Sequence, residues 1–487
     1  MAADSTGRHR ARRTAPIRTQ FVTARAAQCV PCRPFRLVET FALENSPNRM
    51  NKPLPAFSST SVPSFPARRS LIAALAATPV LPAFAQFRVE VSGVGLTQLP
   101  IALAPFRGQD ASPQKISEIV QADLERSGQF RGVDASGQAL DENSRPDLAL
   151  WRQRTADSLV VGSVSRLGDG RFDVRFRLWD VVRGQDLGGQ SYTVPQGDLR
   201  LASHRIADYV YEKLTGDKGV FSTRITYVTK AGNRYSLWVA DADGENAQAA
   251  LASPEPIISP VWSASGGQLA YVSFESRKPV VYVHTVASGQ RRLLANFRGS
   301  NSAPAWAPDG GSLAVTLSRD GGSQLFTIPA AGGEPRRLTQ SNSIDTEPVY
   351  SADGSTIYFV SDRGGAPQIY RMSASGGAPT RVTFSGSYNI SPSISPDGRW
   401  LAYISRVGGA FKLHVMELAT GSVNAITDTT ADENPSFAPN SKLLVYATRL
   451  QGREALMTTT LDGRIKARLA GQAGDIREPD WGPFQKQ

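Results

Sequence analysis

The sequence predicts a small α/β domain followed by an all-β, six-bladed β-propeller. A unit of about 44 residues repeats through the carboxyl-terminal half, and the stretch before it alternates strand and helix patterns. The 487 residues also include 43 glycines and 32 prolines in a chain that is 40% apolar, which favours a turn-rich β fold over a helical one.

The repeat is marked by six prolines that lie 43 or 44 residues apart, at Pro260, Pro304, Pro348, Pro392, Pro435 and Pro479. A large apolar residue follows two positions later, at Trp262, Trp306, Tyr350, Ile394, Phe437 and Trp481. A turn comes next, clearest as Ala-Pro-Asp-Gly at 307–310 and Ser-Pro-Asp-Gly at 395–398. Proline presets φ in such a turn, and glycine accepts a positive φ. Each turn therefore predicts the start of a new strand.

A unit of this length with four short strands is the size of one propeller blade, whereas β-helix repeats are shorter. The last repeat holds only its first strand, at 478–481. The segments 224–230 and 235–241 supply strands that precede the first complete repeat. Joining the final strand to these earlier strands would complete a sixth blade and remove both open edges. The propeller is predicted to span 221–487.

The predicted α/β domain spans 86–216. Its strands are predicted at 100–105, 158–165, 171–182 and 188–194. A first helix is predicted with Ser112 as N-cap and Pro113 at its first position, ending before Gly128. A second amphipathic helix is predicted from Leu199 to a stop at Gly216. The domain contains neither of the common glycine-rich phosphate-binding motifs.

Residues 50–85 have the pattern of a signal peptide. A pair of arginines at 68–69 precedes an apolar run at 71–80, and a small-x-small motif predicts cleavage between Ala85 and Gln86. The uncharged run is too short and too rich in proline to span a bilayer. The paired arginines also match a twin-arginine signal loosely, so the pattern is compatible with either export route.

Residues 1–49 precede a second possible start at Met50 and show no core pattern, which predicts a disordered extension or an over-long start. Both cysteines, Cys29 and Cys32, lie there without the second pair or the βαβ frame that a zinc or redox site needs. A chain processed at Gln86 would hold no cysteine, which suits an oxidising compartment.

The formal net charge of +11 is typical of a nucleic-acid-binding protein, but the distribution of the charge along the chain is not. Residues 1–85 carry 12 Lys and Arg against 3 Asp and Glu, which leaves only +2 for the remaining residues. The sequence shows no basic stripe interleaved with aromatic residues. We therefore expect no nucleic-acid partner and no membrane span.

The junction between the two predicted domains is distinctive: Glu-Lys-Leu-Thr-Gly-Asp-Lys-Gly-Val-Phe-Ser-Thr-Arg-Ile at 212–225. Together with the repeats and the signal peptide, it resembles the TolB family of the Tol–Pal system over residues 86–487. The resemblance implies a periplasmic, non-catalytic protein that acts within a heteromeric complex. It also implies binding to the lipoprotein Pal, to inner-membrane TolA and to other envelope proteins, in support of outer-membrane integrity and of invagination during cell division.

The resemblance implies that the mature amino terminus is a flexible arm that engages TolA. In this sequence the arm consists of Gln86, Phe87, Arg88, Val89, Glu90 and Val91. Its apolar residues alternate with polar ones, as in a segment that adds as a strand to a partner sheet. The alternative is that the same residues form the first strand of the small domain.

The Pal-facing loops implied by the resemblance are those before the marker prolines. They contain Ser300, Asn301, Ala303, Thr346, Glu347, Tyr388, Asn389, Glu433 and Asn434. Short polar residues at a ring mouth can form a ring of hydrogen bonds to one inserted surface. The alternative is that turns between blades simply favour these residue types. One departure is visible, because some relatives carry a histidine where Ser300 stands.

An enzymatic function finds little support. The sequence lacks the G-x-S-x-G elbow of the serine peptidases that follow similar propellers. The histidines after the signal peptide, His204, His284 and His414, are far apart and are predicted to be structural. Asp345 and Glu433 could still hold a calcium ion. The alternative to a binding protein is thus a propeller that binds or transforms a small molecule in its channel, whereas we expect no cofactor, metal or catalysis.

Overall fold

The computed structural model describes residues 89–91, 98–137, 140–471 and 474–485. The predicted extension at 1–49, the signal peptide at 50–85 with its cleavage point, and the first three arm residues lie outside the described residues. None of the helices in the described ranges combines the length and the apolar character that a bilayer span requires.

The described residues of the amino-terminal region form six strands and three α-helices. In chain order they are β1 (Val89–Val91), β2 (Leu99–Leu103), α1 (Ile116–Arg126), β3 (Phe130–Val133), α2 (Leu148–Gln153), β4 (Ser158–Arg166), β5 (Phe172–Asp180), β6 (Gln185–Val194) and α3 (Leu199–Thr215). Strands β2 to β6 form one sheet in the order β3-β2-β4-β5-β6. Strand β2 is parallel to both of its neighbours, and the other pairs are antiparallel.

Both faces of this sheet are covered at β2 and β4, which explains why these strands are rich in apolar residues. Ile101 and Leu103 of β2 pack on one face with apolar residues of α1 and α3. Ala102 of the same strand packs on the other face, against Trp151 of α2. Successive side chains of a strand point to opposite faces, so a strand covered on both sides is apolar throughout. The predicted α/β class is confirmed.

Two details of this region differ from the prediction. Helix α1 begins at Ile116 and not at Pro113, because the Gln109 side chain accepts hydrogen bonds from Ser117 N (3.2 Å) and Ser117 Oγ (2.9 Å). A distant side chain therefore caps the helix in place of Ser112. Helix α2 and strand β3 were not predicted, since each is too short to show a clear period.

The carboxyl-terminal region consists of short strands. They are β7 (Arg224–Ala231), β8 (Arg234–Asp241), β9 (Gln248–Ser253), β10 (Ile257–Trp262), β11 (Gln268–Ser273), β12 (Val280–Thr285), β13 (Arg291–Ala295), β14 (Asn301–Trp306), β15 (Ser312–Leu317), β16 (Gln324–Pro329), β17 (Arg336–Arg337), β18 (Asp345–Tyr350), β19 (Thr356–Ser361), β20 (Gln368–Ser373), β21 (Thr380–Arg381), β22 (Asn389–Ile394), β23 (Trp400–Val407), β24 (Ala410–Glu417), β25 (Val423–Ala425), β26 (Glu433–Phe437), β27 (Leu443–Leu450), β28 (Arg453–Thr460), β29 (Ile465–Arg468) and β30 (Asp475–Trp481).

These strands form six antiparallel sheets, which are the blades of the predicted propeller. Blade 1 has the strand order β30-β7-β8-β9, and blades 2 to 5 each contain four consecutive strands, from β10 to β25. Blade 6 has the order β26-β27-β28-β29, with β1 as a fifth strand. The six-bladed propeller is confirmed. The turn glycines Gly310 and Gly398 have φ of +70° and +72°, as the Asp-Gly turns predicted.

Blade 1 is closed by the exchange of strands that the sequence predicted. The final strand β30 pairs antiparallel with β7, so that Trp481 lies opposite Ile225. The Trp481 side chain is only 6% exposed and its Nε1 donates to Thr223 Oγ1 at 2.8 Å. It belongs to a core between blades 1 and 6 that includes Leu443 and Leu456. Closure therefore buries apolar surface as well as backbone edges.

We predict that Trp481→Ala destabilises the protein by about 3–5 kcal/mol, because it leaves a large cavity at the closure and removes the hydrogen bond from Trp481 Nε1 to Thr223 Oγ1. Urea unfolding monitored by circular dichroism measures the change. The matched control is Phe384→Ala, since Phe384 is 75% exposed and its loss is expected to cost less than about 0.5 kcal/mol. Equal effects of the two substitutions would contradict closure through Trp481.

Candidate protein interface

The first strand of each blade lines the inside of the ring. Strands β10, β14, β18, β22, β26 and β30 each contact the first strands of the two neighbouring blades. All six carry a marker proline, and all six begin at the same end of the ring. We call this end the mouth; it also includes the loops that lead into these strands.

A β-bulge occurs at the same position in all six first strands. The residue before each marker proline has a positive φ: Ser259 (52°), Ala303 (46°), Glu347 (50°), Ser391 (51°), Asn434 (43°) and Glu478 (52°). The register with the second strand shifts at each of these points. A bulge leaves residues without a ladder partner and redirects their side chains. The six bulges thus give the channel wall a repeated set of side chains.

Several predicted interface residues lie at or beside these bulges and are half-buried. They are Ala303, Thr346, Glu347, Glu433 and Asn434. Thr346 Oγ1 lies 3.4 Å from Thr316 Oγ1 of the preceding blade, and Glu347 Oε2 accepts from Ser391 N of the next blade at 2.7 Å. These side chains therefore connect neighbouring blades around the channel and remain partly accessible at the mouth.

Two other predicted interface residues are fully buried and support the loops. Asn301 Nδ2 donates to the carbonyl oxygens of Pro279, Phe297 and Gly299, at 3.0–3.2 Å. Asn389 Nδ2 donates to Gln368 Oε1 at 2.7 Å and to Ser385 O at 2.8 Å. Both side chains have zero exposure. They fix the shape of the mouth from inside the blades.

Two acidic residues beside the mouth have a similar internal role. Asp345, which the sequence indicated as a possible calcium ligand, is fully buried. Its Oδ1 accepts from Arg363 Nη2 at 2.7 Å and its Oδ2 from Ser341 Oγ at 3.2 Å. Asp432 accepts hydrogen bonds from three threonine hydroxyls and from Leu413 N. These carboxylates hold the loops that precede β18 and β26.

The rim of the mouth includes Ser300 and Tyr388, and also Phe384, which was not among the predicted interface residues. Ser300 N donates to Ser318 Oγ at 2.8 Å, and the Tyr388 ring packs edge-on against Phe411 at 6.1 Å. Phe384 lies in the same loop as Tyr388 and is 75% exposed. A large exposed aromatic side chain beside half-buried polar groups is typical of a protein-binding surface. Its position in a Ser- and Gly-rich loop was the available signal.

Acidic side chains of the channel wall are held in partly dehydrated positions. Burial raises the pKa of Glu347 to about 7, although the hydrogen bond from Ser391 N opposes this shift. Burial also raises the pKa of Glu478 to about 7, against the hydrogen bond from Ser259 N. The pKa of Glu433 is raised by burial too, and the nearby Arg477, at 3.6 Å, limits the shift. The charge of the channel wall therefore changes near neutral pH.

Glu478 and Arg477 were not among the predicted interface residues. Both lie on the closing strand β30, at the positions equivalent to Glu347 and Thr346 in the repeat. The predicted interface covered only loops of the internal repeats. The position of these two residues directly before Pro479 was the sequence signal for including them. The structure brings them to the same wall as Glu347 and Glu433, since β30 closes the ring.

The described part of the amino-terminal arm pairs with the propeller. Strand β1 is antiparallel to β29, with Val89 opposite Ala467, Glu90 opposite Lys466 and Val91 opposite Ile465. The alternative in which these residues form the first strand of the small domain is therefore wrong. They instead extend blade 6 at its outer edge, beside β29.

The histidines of the propeller lie within strands, as predicted. His414 stacks on Tyr403 at 5.7 Å, and its Nδ1 lies 3.1 Å from Lys412 O. His284 is 1% exposed and packs near Tyr271, but neither ring nitrogen has a hydrogen-bond partner. Burial, together with Arg291, lowers the pKa of His284. The two side chains come from different blades, β12 and β24, and do not form one site.

We predict that Glu347→Gln is more thermally stable than the wild-type chain, by a difference that grows as pH rises from about 4.5 to about 7. In the folded state the raised pKa disfavours the charged carboxylate, so the wild-type chain loses stability as pH rises through this window. Melting curves of both proteins between pH 4 and 8 measure the difference.

Asp353→Asn is the control for this prediction, because hydrogen bonds from Ser351 and Ser355 lower the pKa of Asp353 to about 2. Its contribution is lost only at more acidic pH, so this variant should differ from wild type by a constant amount between pH 4.5 and 7. A constant difference for Glu347→Gln as well would contradict the placement of this side chain.

Comparison with known proteins agrees with this fold. Residues 87–187 match the TolB amino-terminal domain and residues 211–485 match the TolB beta propeller domain. The chain is 82% identical over 420 residues to the Tol-Pal system protein TolB of Albidiferax ferrireducens, which covers 86% of this chain and 99% of that relative. It is 62% identical over 416 residues to the protein of the same name from Dechloromonas aromatica, covering 85% of this chain and 98% of the relative.

A solved structure shows the same architecture. The crystal structure of TolB from Acinetobacter baumannii superimposes with a TM-score of 0.75 at 36% sequence identity, and the match covers 82% of this chain and all of that one. The chain therefore belongs to the TolB family.

Proposed function

We propose that this chain is a periplasmic, protein-binding component of the Tol–Pal system that links the lipoprotein Pal to inner-membrane TolA. A relative that is 82% identical to it over 420 residues bears the name Tol-Pal system protein TolB. The observation that carries the proposal is the mouth, where six bulges present half-buried side chains and the loop before β22 exposes Phe384. Signal-peptide features at 50–85 support export to the periplasm.

The mouth has the physical properties of a docking surface for one folded partner. Its loops are supported from inside by Asn301, Asn389 and Asp345, so that binding orders little additional chain. Thr346, Glu347 and Glu433 offer hydroxyl and carboxylate groups, and Phe384 offers apolar surface. A partner that brings hydrogen-bond donors into the mouth would satisfy these groups. We assign this surface to Pal.

Pal binding is expected to weaken at least tenfold in Thr346→Phe and in Ala303→Phe, because a large ring at a half-buried mouth position blocks close approach. Calorimetric titration with purified Pal measures the dissociation constants, and melting curves check that the propeller is intact.

The matched control is Thr420→Phe. Thr420 is exposed in the turn between β24 and β25, and this turn lies at the end of the blade opposite the mouth because neighbouring strands are antiparallel. This variant should bind Pal as the wild type does. Wild-type affinity in both mouth variants would remove these loops from the interface.

The amino-terminal arm is assigned to TolA. Strand β1 already forms a β-ladder with β29, so its backbone can adopt the extended form that strand addition requires. The described ladder contains three arm residues, and β1 is the last strand of its sheet. An added strand of this length makes few hydrogen bonds, so its release to another sheet costs little free energy.

A chain that begins at Ser92 is expected to lose TolA binding and to retain Pal binding, in comparison with a chain that begins at Gln86. The physical reason is that the shortened chain lacks the backbone that would join the partner sheet, whereas its mouth is unchanged. Surface plasmon resonance with immobilised TolA or Pal distinguishes the two activities. Undiminished TolA binding by the shortened chain would refute the assignment of the arm.

A further inference from the structure

A buried group of charged side chains joins the small domain to the propeller, and it has no role in the mouth or in the arm itself. It contains Asp123 and Arg126 from α1, Arg200 and His204 from α3, and Asp241 and Asp243 at the end of β8. We call it the interdomain charge cluster. Such groups are costly to bury unless their charges balance, so the arrangement requires a physical explanation.

His204 is at the centre of the cluster. Its side chain has zero exposure, and its Nδ1 lies 2.6 Å from Asp123 Oδ2. Its Nε2 has no hydrogen-bond partner and lies 3.7 Å from Asp243 Oδ2 and 3.8 Å from Asp241 Oδ2. One ring nitrogen therefore faces the small domain, and the other faces two carboxylates of the propeller.

The remaining charges form pairs. Arg126 Nη2 donates to Asp123 Oδ1 at 2.5 Å, and Arg200 Nη2 donates to Asp243 Oδ2. Arg200 Nε is 4.0 Å from Asp241 Oδ2 and has no hydrogen-bond partner. Three carboxylates thus face two guanidinium groups. One positive charge is missing when the imidazole is neutral, and a proton on His204 supplies it.

A shared metal ion fits this geometry less well. Asp123, His204 and Asp243 present donor atoms within 4.8 Å of one another. However, two ligands of a tetrahedral zinc ion lie roughly 3.4 Å apart when each bond is about 2.1 Å. The 2.6 Å between His204 Nδ1 and Asp123 Oδ2 is a hydrogen-bond distance, and Arg126 occupies the other oxygen of Asp123. A proton explains these contacts directly.

We propose that His204 carries a proton at neutral pH and acts as a pH-sensitive latch that holds the small domain against blade 1, next to blade 6, which pairs with the amino-terminal strand. Asp123, Asp241 and Asp243 attract the imidazolium, whereas Arg126 and Arg200 repel it. Glu245 adds a more distant negative charge beside Arg200. Around the imidazole of His204, the acidic groups therefore outnumber the basic ones.

The titration behaviour agrees with the geometry. Burial alone would lower the pKa of His204, but Asp123, Asp243 and Asp241 together raise it above its ordinary value. Burial would raise the pKa of Asp243, yet His204, Arg126 and Arg200 bring it to about 2. A raised pKa in the folded state means that the latch stabilises the protein below the ordinary histidine range. That stability is lost as pH rises through the folded value.

The elements on both sides of the cluster lie next to β29, the strand that pairs with the arm. Gly128, just after α1, lies so close to Ile465 of β29 that an added Cβ would come within 2.7 Å of Ile465 Cγ1. On the propeller side, Asp243 O accepts a hydrogen bond from Ala470 N at 3.1 Å, two residues beyond β29. Loss of the proton would therefore loosen contacts on both sides of β29, where β1 is paired.

The first experiment tests the proton in the full chain. Long-range ¹H–¹⁵N correlation spectra between pH 5.5 and 9 report the protonation of each imidazole. The chain has four histidines, so His9→Gln, His284→Gln and His414→Gln each remove one signal and leave His204 by elimination. We expect both ring nitrogens of His204 to be protonated at pH 7. We expect Asp123→Asn to lower the pKa of His204 by about one unit or more. A neutral His204 side chain at pH 7 overturns the proposal.

The second experiment tests the latch. Hydrogen exchange of the β1 and β29 amides is compared at pH 7 between His204→Gln and the control His414→Gln, with the amides of β19 as the internal reference. We expect exchange at least tenfold faster in His204→Gln only. Equal exchange in the two variants overturns the latch, even if His204 is protonated. Neither experiment uses Pal or TolA, so its failure is separate from a failure of the proposed function.

Discussion

The rest of this structure depends on the pairing of β30 with β7. A single four-stranded blade leaves both of its faces and its edges without partners, and each blade here packs on its neighbours instead. The ring distributes this burial equally only when the last strand returns to the first. Because Trp481 donates to Thr223 in the segment after α3, the closure also lies next to the junction with the small domain.

Closure decides the chemistry of the mouth as well. Glu478 belongs to the final strand, and it accepts a hydrogen bond from Ser259 N across the joint, as Glu347 accepts one from Ser391 N. The channel wall is therefore continuous through the closing blade. Its carboxylates are partly dehydrated and accept main-chain hydrogen bonds, which gives them a defined direction before any partner arrives.

The two surfaces assigned to partners differ in their physical design. The mouth is rigid, because buried amide and carboxylate side chains fix each loop from inside. The described part of the arm, residues 89–91, pairs with β29 at the edge of blade 6. Rigid surfaces favour selective docking, and short edge strands favour exchange between partners. The interdomain charge cluster is near the second of these surfaces, because Asp243 O accepts a hydrogen bond from Ala470 N, two residues beyond β29.

Much of the fold was determined by the sequence itself. The period of 43 or 44 residues, the marker prolines and the Asp-Gly turns specify local strand ends, and local backbone chemistry acts within a few residues. The incomplete first and last repeats further specified how the ring would close. The same rules placed α3 accurately, because its apolar stripe and its Gly216 stop are local features.

The details that the sequence left open are set by contacts between distant residues. The hydrogen bond from Ser117 N to the Gln109 side chain sets the start of α1, and β1 pairs with β29, which lies far along the chain. The positive φ before each marker proline depends on the ring, since proline alone favours an extended residue before it. His204, Asp123 and Asp243 have no shared motif in sequence; the packing of α1 and α3 on the closing blade brings them together. Burial and charge balance arise only from that packing, and they decided which polar residues line the mouth and which support the fold from inside.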